Sequence, residues 1–237
     1  MERKSYLECE KRWVYVLLIL VAGFYGGYTL AVRGGVFCNG QTGNLALLAV
    51  SLGSGGWRRA LYYLIPICAY MAGIVVSETI PRHVRWLRLR WDTLLTLVEI
   101  VVVAIMGFVP ATWPHQICQV TINFICAMQY NTFRQAEGLS MATTFCVNHM
   151  RVVGVALSRI VLRKTNKYPT AVWELKSHGL MIGSFLLGAA LAGCGSLVLG
   201  VRTIWLALIP LVVLAWDLLR ADLVTQKQML EVPPRGH

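Results

Sequence analysis

Six long apolar blocks dominate this chain and most limit what it can fold into. Most of them approach or exceed the roughly 20 apolar residues that an α-helix needs to cross a hydrocarbon core about 30 Å thick. The whole chain is 57% hydrophobic and only 14% charged, whereas soluble domains carry about 25% charged residues. We therefore expect an all-α, multi-pass membrane protein with a single membrane domain over residues 1–237. The blocks cover residues 13–32, 60–80, 93–110, 116–133, 172–199 and 201–219.

The net charge of +11 could indicate binding to nucleic acid or a basic cytoplasmic surface. No basic segment interleaves aromatic side chains over a stretch that could fold as a nucleic-acid-binding domain. Lys and Arg do collect in the cytoplasmic loops of membrane proteins. We therefore expect the lipid bilayer, and no nucleic acid, as a partner.

The sequence carries no pattern typical of an enzyme or a metal protein. It has no nucleophile elbow, no HExxH and no phosphate loop, and its Ser, His and Asp are too sparse to suggest a triad. The seven cysteines are scattered, without a Cys-x-x-Cys pair or a Cys/His cluster of zinc-like spacing. We expect no enzyme, no metal and no cofactor.

Two short segments, 41–53 and 141–161, decide how often the chain crosses the bilayer. If both cross, there are eight spans, 15 Lys and Arg lie inside, and the basic loop 81–91 lies outside. If neither crosses fully, there are six spans and 18 of the 22 Lys and Arg lie inside. Because basic loops stay cytoplasmic, we predict six spans in the plasma membrane. Both termini are then cytoplasmic, and 220–237 forms a polar tail.

The two halves of the chain repeat the same order of elements. Residues 42–53 align without gaps with 147–158, at an offset of 105. Each half reads as a span, a polar elbow with a short helix, and two further spans, which gives repeats 13–110 and 116–219. Three spans are an odd number, so the second repeat must be inverted. The two short interrupted, or re-entrant, helices then enter from opposite faces.

The first elbow predicts a site inside the membrane. It reads Phe-Cys-Asn-Gly-Gln-Thr-Gly-Asn over 37–44. Irregular backbone at membrane depth is tolerated only where it is buried in protein or lines a wet cavity, and a helix start presents unpaired N–H groups. Gly43 would let the backbone approach a solute. In a second reading, Thr42 and Asn44 cap the short helix. The candidate lining residues of both elbows are Asn39, Gln41, Thr42, Gly43, Asn44, Asn148 and His149.

Other polar residues could extend this site, and each has a structural alternative. Glu99 lies in an apolar span, where a carboxylate must be paired, protonated or facing water. Gln129 and Asn131 belong to a polar stripe that could also join helices. His149 could titrate near neutral pH or be a satisfied interfacial side chain. Arg33, on the predicted outer side, could attract an anion.

Several stretches resemble a known family. They are Gly27-Tyr28-Thr29, Arg33-Gly34-Gly35-Val36-Phe37, Gln41-Thr42-Gly43-Asn44, Tyr63-Leu64-Ile65-Pro66-Ile67, the Glu99 region and Met128-Gln129-x-Asn131-x-Phe133-Arg134. Over residues 15–215 the chain resembles the YoaK-like family of six-span bacterial membrane proteins of unassigned function. The resemblance implies the fold and no substrate. The second elbow departs from the family pattern, because Phe-Cys-Val-Asn-His follows Thr143-Thr144.

These patterns favour a secondary transporter or channel for a small polar solute, anions included, with its site between the two elbows. The alternative is a non-transporting membrane protein, a sensor or an assembly partner, in which the elbows and the polar stripe are internal packing. A homo-oligomer is compatible with both functions. The sequence identifies neither the solute nor a coupling ion.

Overall fold

The computed structural model describes residues 6–80, 83–84, 88–162 and 168–235. This part of the chain is predominantly α-helical, as predicted, and its only strands form two hairpins, β1 (His83–Val84) with β2 (Leu89–Arg90) and β3 (Gln135–Ala136) with β4 (Leu139–Ser140). The α-helices are α1 (Arg12–Val32), α2 (Gln41–Gly53), α3 (Trp57–Thr79), α4 (Trp91–Met106), α5 (His115–Thr132), α6 (Val147–Val161), α7 (Tyr168–Leu199) and α8 (Leu208–Arg220).

Both short segments fold as helices of less than membrane-spanning length. Helix α2 has the predicted bounds, and α6 begins six residues later than predicted. Helices of 13 and 15 residues are too short to cross a hydrocarbon core of about 30 Å. Five of the basic residues that supported the predicted loops, Arg82, Arg85, Arg163, Lys164 and Lys167, lie outside the described residues.

Three helical stretches in the described part are long and apolar enough to cross a membrane. They are Arg12–Val32, Trp57–Thr79 and the 58-residue run Tyr168–Thr225. The last run changes direction at Gly200, whose φ is +54°, before a 3₁₀ segment (Gly200–Ala207) leads into α8. These stretches indicate a membrane protein, and the number of six spans stays a prediction.

Large apolar side chains cover much of the outer surface. Leu197 is 88% exposed, Phe108 76% and Trp216 71%. A soluble monomer rarely exposes contiguous apolar surface beyond a few hundred Å². This surface is what a protein surrounded by lipid presents.

One end of the bundle, which we call the terminal end, brings together the starts of α1 and α4 with the ends of α3, α5 and α8. Arg12 donates a hydrogen bond to Ser177 Oγ, so the third turn of α7 also lies there. Trp91 Nε1 lies 2.8 Å from Thr132 Oγ1. Thr93 Oγ1 lies 2.7 Å from Asp222 Oδ2. Ser77, near the end of α3, is bonded by Asn131 near the end of α5.

The opposite end joins the other ends of the same helices. The Tyr28 hydroxyl donates to the carbonyl of Val201 at the turn after α7. Trp205 Nε1 donates to the carbonyl of Ala104 near the end of α4. Gln119, in the first half of α5, donates to the carbonyl of Arg33 just beyond α1. Helices α1, α4 and α7 therefore run away from the terminal end, while α3, α5 and α8 run towards it.

Helices α1 and α7 pack side by side in parallel because small residues let their backbones meet. A Cβ on Gly23 would collide with the carbonyl of Phe185. A Cβ on Gly188 would collide with the carbonyl of Leu20. Close packing of this kind replaces the hydrophobic driving force that is absent between helices in lipid.

The predicted tail packs against the terminal end in its described part. Asp222 lies in a π-helical turn (Ala221–Thr225) and is 2% exposed. Its Oδ2 accepts hydrogen bonds from the amide of Arg90 and the hydroxyl of Thr93. The Arg90 guanidinium reaches the carbonyl of Met229, and the amide of Arg235 bonds the carboxylate of Glu10.

Candidate functional site

The first elbow reverses the chain after α1 and returns it to the middle of the bundle. Gly34 and Gly35 have φ values of +78° and +74°, a backbone conformation that glycine adopts without a Cβ penalty. Asn39 Nδ2 then lies 2.6 Å from the carbonyl of Ala22 at mid-length of α1. Helix α2 therefore starts at mid-depth, and its last residues lead back to the opposite end, where α3 begins.

Gln41 fastens the start of α2 to the polar stripe of α5. Its Nε2 lies 2.6 Å from Asn123 Oδ1 and 2.9 Å from the carbonyl of Cys38. Asn123 in turn donates to the carbonyl of Gln119, one turn earlier. This part of the stripe therefore holds the elbow in place.

Asn44 closes the elbow upon itself and does not cap the helix. Its Nδ2 donates to the carbonyl of Phe37 at 2.9 Å and to Oε1 of Gln41 at 3.3 Å. The N-cap position belongs to Gly40, and no side chain caps it. The capping role that the sequence offered for Thr42 and Asn44 is wrong, because α2 begins before either residue.

The elbow requires a glycine at position 40 and accepts a side chain at position 43. A Cβ on Gly40 would run into the ring of Phe37, whereas a Cβ on Gly43 would meet nothing within 4 Å. No protein atom occupies the space beside Gly43, so the approach of a solute to its backbone stays a prediction. The Phe37 ring also faces Gly26, where a Cβ would lie 2.5 Å from it, so the two glycines form its seat.

The second elbow follows the β3–β4 hairpin and leads into α6. The N-cap residue is Cys146, again without a side-chain cap. His149 Nε2 lies 2.7 Å from the carbonyl of Ala142, which closes this elbow. His149 Nδ1 lies 2.7 Å from Nδ1 of His178 on α7, and both rings are buried. The end of α6 reaches the start of α7 through an ion pair of Arg159 and Glu174 at 2.9 Å.

A cavity of about 610 Å³, the central cavity, lies between the starts of α2 and α6. Residues of both elbows line it, and aromatic rings from α3, α5 and α7 complete its wall. Of the predicted site residues it contains Asn39, Gln41 and Thr42. The lining is Phe37, Asn39, Gly40, Gln41, Thr42, Tyr70, Tyr130, Phe145, Cys146, Val147, Met150 and Phe185.

A second cavity of about 560 Å³, the inner cavity, lies between the central cavity and the terminal end. It is more polar and contains Asn131 and Asn148 of the predicted set. Asn131 Nδ2 lies 2.8 Å from Ser77 Oγ and 2.9 Å from Glu78 Oε2. The lining is Tyr130, Asn131, Arg134, Ser140, Met141, Ala142, Phe145 and Asn148.

The remaining predicted residues line neither cavity. Arg33 is fully buried, and its guanidinium donates to the Tyr28 hydroxyl and to the carbonyls of Val109 and Pro110. Three of its five N–H groups are engaged by the protein, so Arg33 clamps the end of α1 to the turn after α4. Its attraction of an anion stays a prediction. Gly43, Asn44 and His149 flank the central cavity without lining it.

Glu99 and Gln129 also lie outside both cavities, buried between helices. Glu99 is 1% exposed, and the hydroxyl of Tyr25 lies close enough to interact with its carboxyl group. Gln129 Nε2 donates to the carbonyl of Leu18 at 3.3 Å. Among the described residues, Oε1 of Glu99 and Oε1 of Gln129 have no hydrogen-bond partner.

Sequence reasoning missed the aromatic residues, which are five of the twelve residues that line the central cavity. Phe37, Tyr70, Tyr130, Phe145 and Phe185 are the five. In apolar blocks polar residues stand out, whereas aromatic residues are unremarkable. One signal was available, because each elbow carries a Phe shortly before its short helix, at positions 37 and 145.

The comparisons with known proteins agree with the resemblance drawn from the motifs. The family model described as "Protein of unknown function (DUF1275)" matches residues 14–216, and the YoaK-like resemblance is consistent with this match. No curated protein and no solved structure matches the chain.

Proposed function

The chain belongs to this uncharacterised family, and we propose that it is a secondary transporter or channel for a small polar solute, anions included. The central cavity is its solute site. The membrane domain is an inverted repeat of three spans each, with α2 and α6 as re-entrant helices. The carrying observation is that the starts of both short helices line the same cavity.

The directions of the long helices support six crossings. Contacts at the two ends arrange α1, α4 and α7 in one direction and α3, α5 and α8 in the other. Both described termini lie at the terminal end, where Gln226 Oε1 accepts the amide of Glu8 at 3.0 Å. An even number of crossings places both termini on the same side of the membrane. Because most basic residues lie in the loops of this end, we assign it to the cytoplasm.

The short helices support the inversion. Helix α2 starts at the central cavity and leads to the opposite end, since the turn at Gly55 and Gly56 joins it to α3. Helix α6 starts at the same cavity and leads to the terminal end, where Arg159 meets Glu174. In inverted-repeat transporters, discontinuous helices of this kind meet at a midplane substrate site.

The lining favours a solute with a polar or negatively charged group. The amides of Gln41 and Thr42 begin α2 without a hydrogen-bond acceptor among the described residues. Amides at a helix start carry the positive end of the helix dipole. No Asp, Glu, Lys or Arg among the described residues lines the central cavity, so this lining has no carboxylate with which to bind a cation. The aromatic wall would contact the rest of the solute.

One observation favours the alternative function. The polar side chains of the elbow donate their hydrogen bonds to other groups of the protein, as seen for Asn39, Gln41 and Asn44. A membrane sensor or assembly partner would need no more than this, because the elbows would then be internal packing. Thr42, whose side chain is exposed and lines the cavity, separates the two functions.

The test is an uptake screen with purified protein in liposomes, over small anions, amino acids and cations. We expect uptake of at least one polar or anionic solute, and we expect Thr42→Val to lower its apparent affinity. Thr121→Val is the matched control, because Thr121 bonds the carbonyl of its own helix at Ile117 and lies outside both cavities. Uptake of no solute by a folded protein would favour the non-transporting function.

A further inference from the structure

We propose that the ring pair of Tyr130 and Phe145 is the gate between the central cavity and the terminal end. The proposal rests on the proposed transport function and names the contact that must open to admit solute from the cytoplasm. It adds two residues that neither the motif analysis nor the family description assigns.

The two rings are the only residues that line both cavities in the described part of the chain. Their centroids are 5.0 Å apart and their planes are inclined by 48°. Cavities of about 560 and 610 Å³ therefore share this ring contact as a common wall. Rotation of either ring away from the other would join the cavities into one passage.

The contact is an apolar barrier between two spaces that polar groups line. On the inner side are Asn131, Arg134 and Asn148. On the central side are Gln41 and Thr42. Hydrophobic constrictions of this kind block hydrated solutes because water leaves them. The pair therefore closes the path although it contains no charge.

Both rings are able to move without disrupting a helix. Phe145 lies in the irregular elbow before α6, and Tyr130 extends from the last turn of α5. The Tyr130 ring contacts Phe145, and its hydroxyl forms no hydrogen bond with a described residue. By contrast, the Phe37 ring of the other elbow is seated against Gly26 and Gly40. The aromatic contact without such a seat is the one that faces the terminal end.

Labelling of a native thiol tests this gate, and the test does not require that the solute be identified. Cys146 lines the central cavity, whereas Cys118 and Cys126 are fully buried in the protein. A membrane-impermeant, charged methanethiosulfonate reagent is added from the side of the terminal end to protein in liposomes. Mass spectrometry of the peptides then measures the labelling rate of each cysteine separately.

We expect Tyr130→Ala to raise the labelling rate of Cys146 by at least about tenfold, because the apolar constriction is removed. Tyr130→Phe, which keeps the ring, should label at the wild-type rate. Phe108→Ala is the matched control, since Phe108 pairs with Trp205 at the opposite end. Cys126 must stay unlabelled in each variant. If Cys126 reacts in Tyr130→Ala, that variant does not keep the native packing. Tyr130→Met, which keeps side-chain bulk without a ring, is then measured instead, and its labelling rate at Cys146 should rise by at least about tenfold.

An unchanged rate at Cys146 in folded Tyr130→Ala, or an equal rise in Phe108→Ala, would overturn the gate. The uptake screen and the labelling experiment can fail independently of each other. A raised labelling rate in a protein that takes up no solute would leave the passage and remove transport. Uptake of a solute with no change in labelling would leave transport and remove the gate.

Discussion

Nδ1 of His149 on α6 lies 2.7 Å from Nδ1 of His178 on α7. The other nitrogen of His149 must carry a hydrogen, because it faces the carbonyl of Ala142 and a carbonyl only accepts. In the neutral pair, His149 Nδ1 is therefore the acceptor and His178 Nδ1–H the donor. One shared proton joins the short helix α6 to the long helix α7 beside it.

This pair predicts a loss of stability in acid. When both rings are charged, each Nδ1 carries a hydrogen and the bond cannot form, so the unfolded state binds more protons than the folded state. Stability then falls as the pH drops through the ordinary histidine range near 6.5. Thermal unfolding of wild-type protein in detergent, from about pH 8 to about pH 5, should show this fall. His149→Ala/His178→Ala should be less stable at high pH and less sensitive to pH, and equal sensitivity in both proteins would contradict the assignment.

Arg33 predicts a stability effect rather than a transport effect. Arg33→Gln leaves the carbonyls of Val109 and Pro110 without their donors inside the protein. A buried polar group without its partner costs about 1–3 kcal/mol, so the variant should unfold at a clearly lower temperature. Arg58→Gln, at an exposed position, should unfold like wild type. A stable Arg33→Gln protein with weakened anion uptake would instead return Arg33 to the solute path.

The first elbow should distinguish its two glycines. Gly40→Ala forces a Cβ into the ring of Phe37, and overpacking of this kind costs about 1–3 kcal/mol. Gly43→Ala enters open space and should leave thermal stability close to wild type. Comparison of the two unfolding temperatures tests the seat of Phe37. Equal values would mean that the ring moves aside freely.

Glu99 should tolerate loss of its charge. Because Glu99 lines neither cavity, we expect Glu99→Gln to take up solute at the wild-type rate and to be at least as heat-stable. Uptake and unfolding temperature are measured on the same preparation. Lost uptake in a folded Glu99→Gln protein would show that solute or protons pass this residue.

The six-span proposal predicts opposite accessibility at two exposed positions. Ala111→Cys lies at the opposite end, after α4, and Thr79→Cys lies at the terminal end of α3. In whole cells an impermeant thiol reagent should label position 111 and spare position 79, which becomes reactive in inverted vesicles. The reverse pattern would remove the orientation and, with it, the cytoplasmic assignment of the termini.

The sequence by itself determined the class of protein and the position of the first short helix. Apolar runs and the residues that interrupt them act locally, so the composition predicted a helical membrane protein and the pattern predicted a helix over 41–53, as observed in α2. The polar composition of the elbow also predicted that it is held at membrane depth, since its backbone needs partners there.

Only the tertiary structure decided which polar side chains face a cavity and which hold the elbow. Gln41 finds Asn123, 82 residues away, and Asn44 finds the elbow's own carbonyl at Phe37. Arg33 meets Val109 in the same way, across 76 residues. A buried polar group must be paired wherever the fold brings a partner, and residue type alone does not reveal that partner. For the same reason the aromatic rings Tyr130 and Phe145, unremarkable in the sequence, become a shared wall only when α5 and the second elbow meet.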